Sequence, residues 1–138
     1  MIEELKRLYK KIETFGNKPI KIISHFDTDG ITSAAIFSRA LERQNKKFSL
    51  EIVKGLDEDK IKNLSESHIL IFLDLASGSL HHLKKKKTEV LIFDHHELPR
   101  EYKTKEKIPE NIEMVNPCLE NKEQLSSSEL CYLFAKML

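Results

Sequence analysis

The chain has 138 residues, which is the length of about one domain and is enough to bury a core. Its 23 basic and 22 acidic side chains give a formal net charge of +1, a balance that neither supports nor excludes nucleic acid as a partner. The two cysteines, Cys118 and Cys131, lack CxxC spacing and indicate neither a zinc site nor a disulfide framework. With no apolar run long enough to span a bilayer, we expect a single domain over residues 1–138 in the cytoplasm, without a membrane partner.

Hydrophobic periodicity predicts helices and strands in alternation. A helix over residues 1–16 packs on the domain, a strand follows at 20–25, and a second helix begins near Ile31. The later elements are strands at 48–54, 68–74, 89–94 and 111–116, and helices from Asp57 to about Ser65, from Ser77 or Ser79 through the lysine run, and over 126–138. This alternation predicts an α/β fold with a mainly parallel five-stranded sheet in the order 2-1-3-4-5 and helices on both faces.

Three of the predicted strands end in acids and histidines. The first runs into His25-Phe26-Asp27-Thr28-Asp29-Gly30, the third into Asp74, and the fourth into Asp94-His95-His96. In the order 2-1-3-4-5 these three strands are neighbours, so their turns share one crevice at the carboxyl edge of the sheet.

The donors at this edge predict a site for two divalent metal ions. They are too many for one tetrahedral zinc, and mixed carboxylate and imidazole ligands suit manganese or a similar ion. A pair of ions about 3.5–4 Å apart lowers the pKa of a shared water and stabilises the entering and leaving oxygens on phosphorus. We assign His25, Asp27 and Asp74 to one ion, and Asp29, Asp74 and His95 to the other.

The remaining residues of the motifs receive supporting roles. Asp74, as the ligand shared by both ions, and Asp29, as a ligand of the second ion, are predicted to be catalytic. His96 is predicted to contact a phosphate oxygen or the leaving group. Asp94 accepts a hydrogen bond that orients a histidine.

Anion binding is predicted at two helix starts. The helix after Gly30 offers free N–H groups, and Thr32 and Ser33 add hydroxyl donors. At the last helix the donors are Ser126, Ser127 and Ser128, where the alternative is a plain capping box closed by Glu129.

For other charged and aromatic residues we predict structural roles or name a functional alternative. The run Lys84–Lys87 is an exposed helix end, with a phosphate-tracking patch as the alternative. Phe26 either stacks on a base or packs into the core, and His81 and His82 are solvated. Residues 97–110 are polar and form a surface loop.

The three motifs resemble a known family. His25 to Gly30, Asp74 and Asp94-His95-His96 are similar to the first three motifs of the DHH phosphoesterase superfamily, and the first motif is most similar to that of archaeal RecJ-like nucleases. The resemblance covers residues 20–138, including Asn116-Pro117. It implies a phosphodiesterase that depends on Mn²⁺ or Mg²⁺, acts on single-stranded nucleic acid from an end, and associates with the replication machinery through the GINS complex.

The chain also departs from that family. The family carries a further Asp motif after the Asp-His-His triplet, yet no Asp follows Asp94; Glu113, Glu120 and Glu129 are the substitutes considered. The family's second, substrate-gripping domain is absent from this sequence. We therefore expect a nuclease subunit that needs a second polypeptide or a missing C-terminal part for full activity. The alternatives are a non-catalytic scaffold associated with GINS, or a phosphoesterase acting on short oligonucleotides or cyclic dinucleotides.

Overall fold

Five parallel strands form one sheet in the order 2-1-3-4-5. The structure, a computed structural model, describes residues 1–119 and 123–138. The strands are β1 (Ile20–His25), β2 (Phe48–Val53), β3 (Ile69–Leu73), β4 (Val90–Phe93) and β5 (Ile112–Val115). Every neighbouring pair is parallel, so the predicted α/β fold and strand order are confirmed.

Helices cover both faces of the sheet. They are α1 (Ile2–Glu13), α2 (Thr28–Arg43), α3 (Glu58–Lys62), α4 (Leu80–Leu83) and α5 (Ser127–Ala135). The apolar side chains of α1, α2 and α5 share one core with one face of the sheet, and those of α3 and α4 share another core with the opposite face. Within the two described ranges, none of the helices is both long and apolar enough to cross a membrane.

Strand β3 lies at the centre of both cores. Its five residues are all buried, with Ile71 and Leu73 on the α2 side and Leu70 and Phe72 on the α3 side. Continuous burial explains why this strand is uniformly apolar rather than alternating. The residue that follows it, Asp74, consequently emerges from the middle of the sheet, where water has little access.

The start of α2 differs from the prediction. The helix begins at Thr28 rather than near Ile31, because the carboxylate of Asp27 caps it by accepting the N–H of Gly30 at 2.8 Å. The hydroxyl of Ser24 donates to the Gly30 carbonyl at 2.6 Å and so fixes the turn to the end of β1. The Gly30 N–H is therefore engaged by Asp27 rather than free for a phosphate.

The lysine run also differs from the prediction. Helix α4 ends at Leu83, before the lysines, and neither Ser77 nor Ser79 caps a helix with its side chain. Lys84, Lys85 and Lys87 are exposed as predicted, whereas Lys86 is buried and its ammonium donates to the carbonyl of Leu64 at 2.7 Å.

The predicted surface loop is partly buried. Leu98 and Tyr102 pack into the core on the α3 side, and the chain makes one-turn 3₁₀ segments at Arg100–Tyr102 and Lys105–Lys107. The segment was predicted to lie on the surface because most of its residues are polar. His81 is exposed as predicted, while His82 is half-buried.

We predict that Gly30→Ala destabilises the protein. A Cβ at residue 30 would lie 2.0 Å from the carbonyl oxygen of His25, so α2 would have to move away from β1. Overpacking of this kind costs about 1–3 kcal/mol or more of the free energy of unfolding, which urea denaturation measures. Gly78→Ala is the matched control, since its Cβ would meet no atom within 4 Å. Equal stability of the two variants would contradict the close approach of α2 to β1.

Candidate metal centre

The carboxyl ends of β1, β3 and β4 bring two histidines to one carboxylate. Asp74 Oδ2 lies 3.4 Å from His25 Nδ1, and Asp74 Oδ1 lies 3.2 Å from His95 Nε2. His25 Nδ1 is also 3.1 Å from Asp27 Oδ2, and His95 Nε2 is 3.3 Å from Asp29 Oδ2. Asp74 therefore stands between two donor groups and offers one oxygen to each.

These donors form two clusters that share Asp74. In the part of the chain that the structure describes, ligand atoms within 4.8 Å of one another group His25 with Asp27 and Asp74, and Asp74 with His95 and His96. Asp74 Oδ2 and His25 Nδ1 are buried and, among the described residues, have no hydrogen-bond partner. Unpartnered buried donors of mixed carboxylate and imidazole type fit a divalent cation.

Asp29 has a second role that the sequence did not reveal. Its carboxylate accepts the N–H of Ser128 at 2.9 Å and that of Ser127 at 3.1 Å, at the first turn of α5. The hydroxyl of Ser127 donates to Asp74 Oδ1 at 3.0 Å. The first amides of α5 thus hold the carboxylate of Asp29, and α5 is joined directly to the metal centre.

The other predicted hydroxyl donors lie in different settings. Ser126 and Glu129 form the capping box of α5, with each side chain accepting the backbone N–H of the other residue. Ser33 is fully buried, and its side chain faces Cys131 of α5. Thr32 is exposed.

Of the glutamates considered as substitutes for the further Asp, the two that the structure describes do not join the clusters. The Oε2 atom of Glu113 lies 3.7 Å from Nε of Arg7, which belongs to helix α1. Glu129 is engaged in the capping box. Glu120 lies outside the described residues. Phe26 does not pack into the core: its side chain is half exposed and lies edge-on to the ring of His25, with centroids 5.1 Å apart.

The three carboxylates ionise differently. Burial and the nearby carboxylates of Asp27 and Asp29 raise the pKa of Asp74 to about 7. The hydrogen bond from Gly30 lowers the pKa of Asp27. For Asp29, burial opposes ionisation, but the hydrogen bonds from Ser128 and Ser127 outweigh it and lower the pKa. The pKa values of the three acids move apart because their like charges lie close together and Asp74 is the most deeply buried of them.

His96 and Asp94 form an ion pair beside the clusters. Asp94 is fully buried, and its Oδ1 lies 2.7 Å from His96 Nδ1. The hydrogen bond and charge of Asp94, working against burial, raise the pKa of His96 to about 9. Burial would raise the pKa of Asp94, but hydrogen bonds from His96 and Ser77 hold it below its ordinary value. His96 is thus a cation at neutral pH in the metal-free protein, whereas ligating a metal would require its neutral form.

Asn116 is a positioning residue to which the sequence analysis gave no role. Its side-chain N–H groups lie 2.9 Å from both the Ser77 hydroxyl and the His96 carbonyl, and its amide oxygen accepts the N–H of Cys118. It thereby ties together the turns that follow β3, β4 and β5. The sequence could have indicated this role, because Asn116 directly follows β5 and so lies at the same edge of the sheet as the motifs.

The turn after β3 has an unusual backbone. Asp74 has φ 61° and Ala76 has φ 89°, both in the left-handed region that non-glycine residues rarely adopt. Such residues cost about 1–3 kcal/mol each and cluster at functional sites. The strain marks this turn as part of the site.

Comparisons with known proteins agree with the fold and the motifs. The profile described as the DHH family, N-terminal domain, matches residues 19–137. An uncharacterized protein of Methanocaldococcus jannaschii is 32% identical, over 99% of this chain and 34% of its own length. The exonuclease RecJ bound to manganese has a TM-score of 0.74 at 20% identity, over 96% of this chain and 35% of RecJ. CDC45 from Entamoeba histolytica has a TM-score of 0.71 at 18% identity, over 97% of this chain and 29% of CDC45.

The fold and the centre define an α/β protein that gathers acids and histidines at the carboxyl ends of three adjacent strands. The profile match covers most of the sequence, and the chain belongs to the DHH family. The chain spans about a third of the length of its curated relative and of RecJ. At these identities the solved structures share its fold.

We predict that the metal-free protein loses stability as pH rises from about 4 to about 7. The folded Asp74 keeps its proton up to about pH 7, whereas the unfolded chain releases it near 3.8, so the stabilisation is complete below 3.8 and is lost as pH approaches 7. Urea denaturation in EDTA at several pH values measures this slope.

Asp74→Asn, which mimics the protonated carboxyl group, should flatten that slope and make the metal-free protein more stable at pH 7. Asp57→Asn, at the remote N-cap of α3, is the matched control and should keep the slope of the wild type. An unchanged slope in Asp74→Asn would rule out Asp74 as its source.

Proposed function

We propose that the chain is the metal-dependent phosphodiesterase subunit of a RecJ-like, single-strand-specific nuclease, with Mn²⁺ or Mg²⁺ as cofactor. The observation that carries this proposal is the pair of donor clusters that share Asp74, placed at the carboxyl edge of a DHH-family sheet. Two-metal centres of this composition are suited to the displacement of an oxygen at phosphorus.

The first ion is assigned to His25, Asp27 and Asp74, which form one of the two clusters. The second is assigned to Asp74 and His95, with Asp29 3.3 Å from His95. When bound, the ions supply Lewis-acid activation of a water molecule and neutralise charge on the phosphate. Asp29 also holds α5 in place, which keeps the hydroxyl of Ser127 on Asp74.

His96 is the residue that handles the phosphate or the leaving group. Asp94 accepts the Nδ1 proton, which holds the ring in one orientation and leaves Nε2–H as a second donor. A protonated imidazole near the metal centre can donate to a phosphate oxygen or to the departing oxygen.

The similarity to RecJ bound to manganese supports the choice of metal and of reaction. Residues 1–138 correspond to about a third of RecJ. We therefore propose that residues 1–138 form one catalytic domain whose full activity requires a second polypeptide or a C-terminal part.

A second candidate function is a non-catalytic replication subunit that binds a GINS-type protein. Its support is the similarity to CDC45 at a TM-score of 0.71, together with the absence of an Asp after Asp94. The two candidates differ in whether the metal centre turns over substrate.

The test is degradation of an end-labelled single strand in Mn²⁺, with protein in excess so that weak activity is measurable. The wild type should shorten the strand and leave duplex intact, EDTA should stop the reaction, and Asp74→Ala should remove it because both ions lose a shared ligand. His96→Asn should lower the rate about 10²–10⁴-fold, the range for a lost proton donor.

Asp57→Ala is the control and should retain the wild-type rate, since this cap lies on α3. A wild type that binds Mn²⁺ yet leaves the strand intact at all protein concentrations would contradict activity of this domain on its own, and would leave the subunit that needs a further part and the scaffold as the two candidates.

A further inference from the structure

Strand β2 forms one edge of the sheet, and its side chains do not protect this edge. Its six residues, Phe48–Val53, pair with β1 in a continuous register and include no proline and no lysine. Prolines, lysines and bulges are the usual means by which proteins keep edge strands from pairing with other chains. Leu50 and Ile52 are instead apolar, and each is 43% exposed. The edge therefore has the properties of a strand that pairs with another chain.

The backbone of β2 also offers hydrogen-bonding groups at this edge. The N–H of Ile20 donates to the carbonyl of Lys47 at 3.2 Å, which sets the pattern of bonds between β1 and β2. In a parallel pair with this pattern, alternate residues of β2 bond to β1. The residues between them, Phe48, Leu50 and Ile52, point their N–H and carbonyl groups away from β1. A further strand can bond to these three residues.

Helix α2 extends the apolar surface of the edge. Ala40 lines the groove between α2 and α5. Ile31 lies nine residues earlier, about 180° around the helix, so it projects from the opposite flank of α2. Because α5 contacts β4, that flank is the one nearer β2, and Ile31 is 53% exposed there. Leu50 lies on the same face of the sheet, since it is in register with Ile22 in the core under α2.

The opposite face of β2 carries the one charged side chain of the strand, and this charge is paired within the chain. Glu51 Oε2 lies 3.2 Å from Nζ of Lys21, and Glu51 also forms an ion pair with Lys60. A second strand that approaches the edge consequently meets apolar side chains on one face and a neutralised carboxylate on the other.

The sequence of β2 is complementary to itself in an antiparallel arrangement. A two-fold axis at Leu50 places Phe48 opposite Ile52 of a second copy, so apolar side chains pair on the α2 face. On the other face Ser49 lies opposite Glu51, whose carboxylate is within reach of the serine hydroxyl. An axis at Glu51 would instead place two like charges directly opposite each other, which is destabilising. Charge therefore selects the axis at Leu50.

We propose that β2 pairs antiparallel with β2 of a second copy of this chain, with the two-fold axis at Leu50. The sheets of the two copies then form one continuous sheet, and Leu50 and Ile52 of both copies are covered. This proposal rests on the fold and is independent of the proposed function, so a monomeric protein would leave the nuclease proposal standing.

Sedimentation equilibrium tests the proposal, and the wild type should have twice the 16.1 kDa mass of one chain. Leu50→Lys places two cations opposite each other and should weaken the dimer at least about 100-fold, because like charges in an interface are strongly unfavourable. Ile52→Pro removes an N–H that points to the second copy and should also yield monomer, since edge strands tolerate proline on their open side. Tyr132→Lys is the matched control: Tyr132 is 55% exposed on α5, and its variant should remain dimeric.

Disulfide formation tests the register in a Cys118→Ser background. Residues on the two-fold axis have Cα atoms about 5.5 Å apart, within the range of a disulfide, so Leu50→Cys should cross-link the two copies under oxidation. Ile52→Cys should not, because the two substituted residues would lie four residues out of register, roughly 14 Å apart.

A wild type with the mass of one chain at every concentration would overturn the proposal. A dimer that persists in both Leu50→Lys and Ile52→Pro would overturn it as well, because the two copies would then meet at another surface. Circular dichroism checks that each variant is folded, and Leu50→Lys decides the question if Ile52→Pro is not. Cross-linking through Ile52→Cys and not through Leu50→Cys would refute the axis at Leu50.

Discussion

The burial of one carboxylate, Asp74, is the constraint on which the rest of the centre depends. The residue is 1% exposed, yet the acids Asp27 and Asp29 lie close to it, and a buried charge without compensation is costly. Burial and the two neighbouring acids raise its pKa to about 7, although two histidine nitrogens lie at 3.2 and 3.4 Å. A divalent cation on each side would supply the missing compensation and return the carboxyl group to its charged form. The burial of Asp74 at the apolar centre of the sheet thus favours binding of metal ions beside it.

The turn after β1, which supplies two of the proposed ligands, also holds helices α2 and α5. Asp27 caps α2, and Asp29 accepts the first free amides of α5, where a negative charge is favoured by the helix dipole. The two helices then pack along their length, with the rings of Phe37 and Phe134 stacked at a centroid distance of 5.3 Å. Loss of either acid would therefore affect helix packing as well as metal binding, and the arrangement of the ligands is fixed by the core.

The fold and the position of the centre could be predicted from the sequence because both depend on local pattern. Uniformly apolar strands, short crossovers and acids at three strand ends lead to the order 2-1-3-4-5 and to one shared edge. The contacts that escaped prediction join distant residues. Asp29 reaches Ser128 across 99 residues, and the burial of Ser33 follows from the close packing of α2 on α5. Lys86 and Tyr102 are buried within polar stretches, where periodicity carries no signal.

If Asp74 is shared by two metal ions, electron paramagnetic resonance of bound Mn²⁺ should show it. We expect the wild-type chain to bind two Mn²⁺ ions and to give an exchange-coupled signal, because one carboxylate links them. Asp74→Asn should lose the coupling and bind fewer ions. A wild-type signal from isolated Mn²⁺ ions, or the same signal from the wild type and Asp74→Asn, would contradict the shared carboxylate.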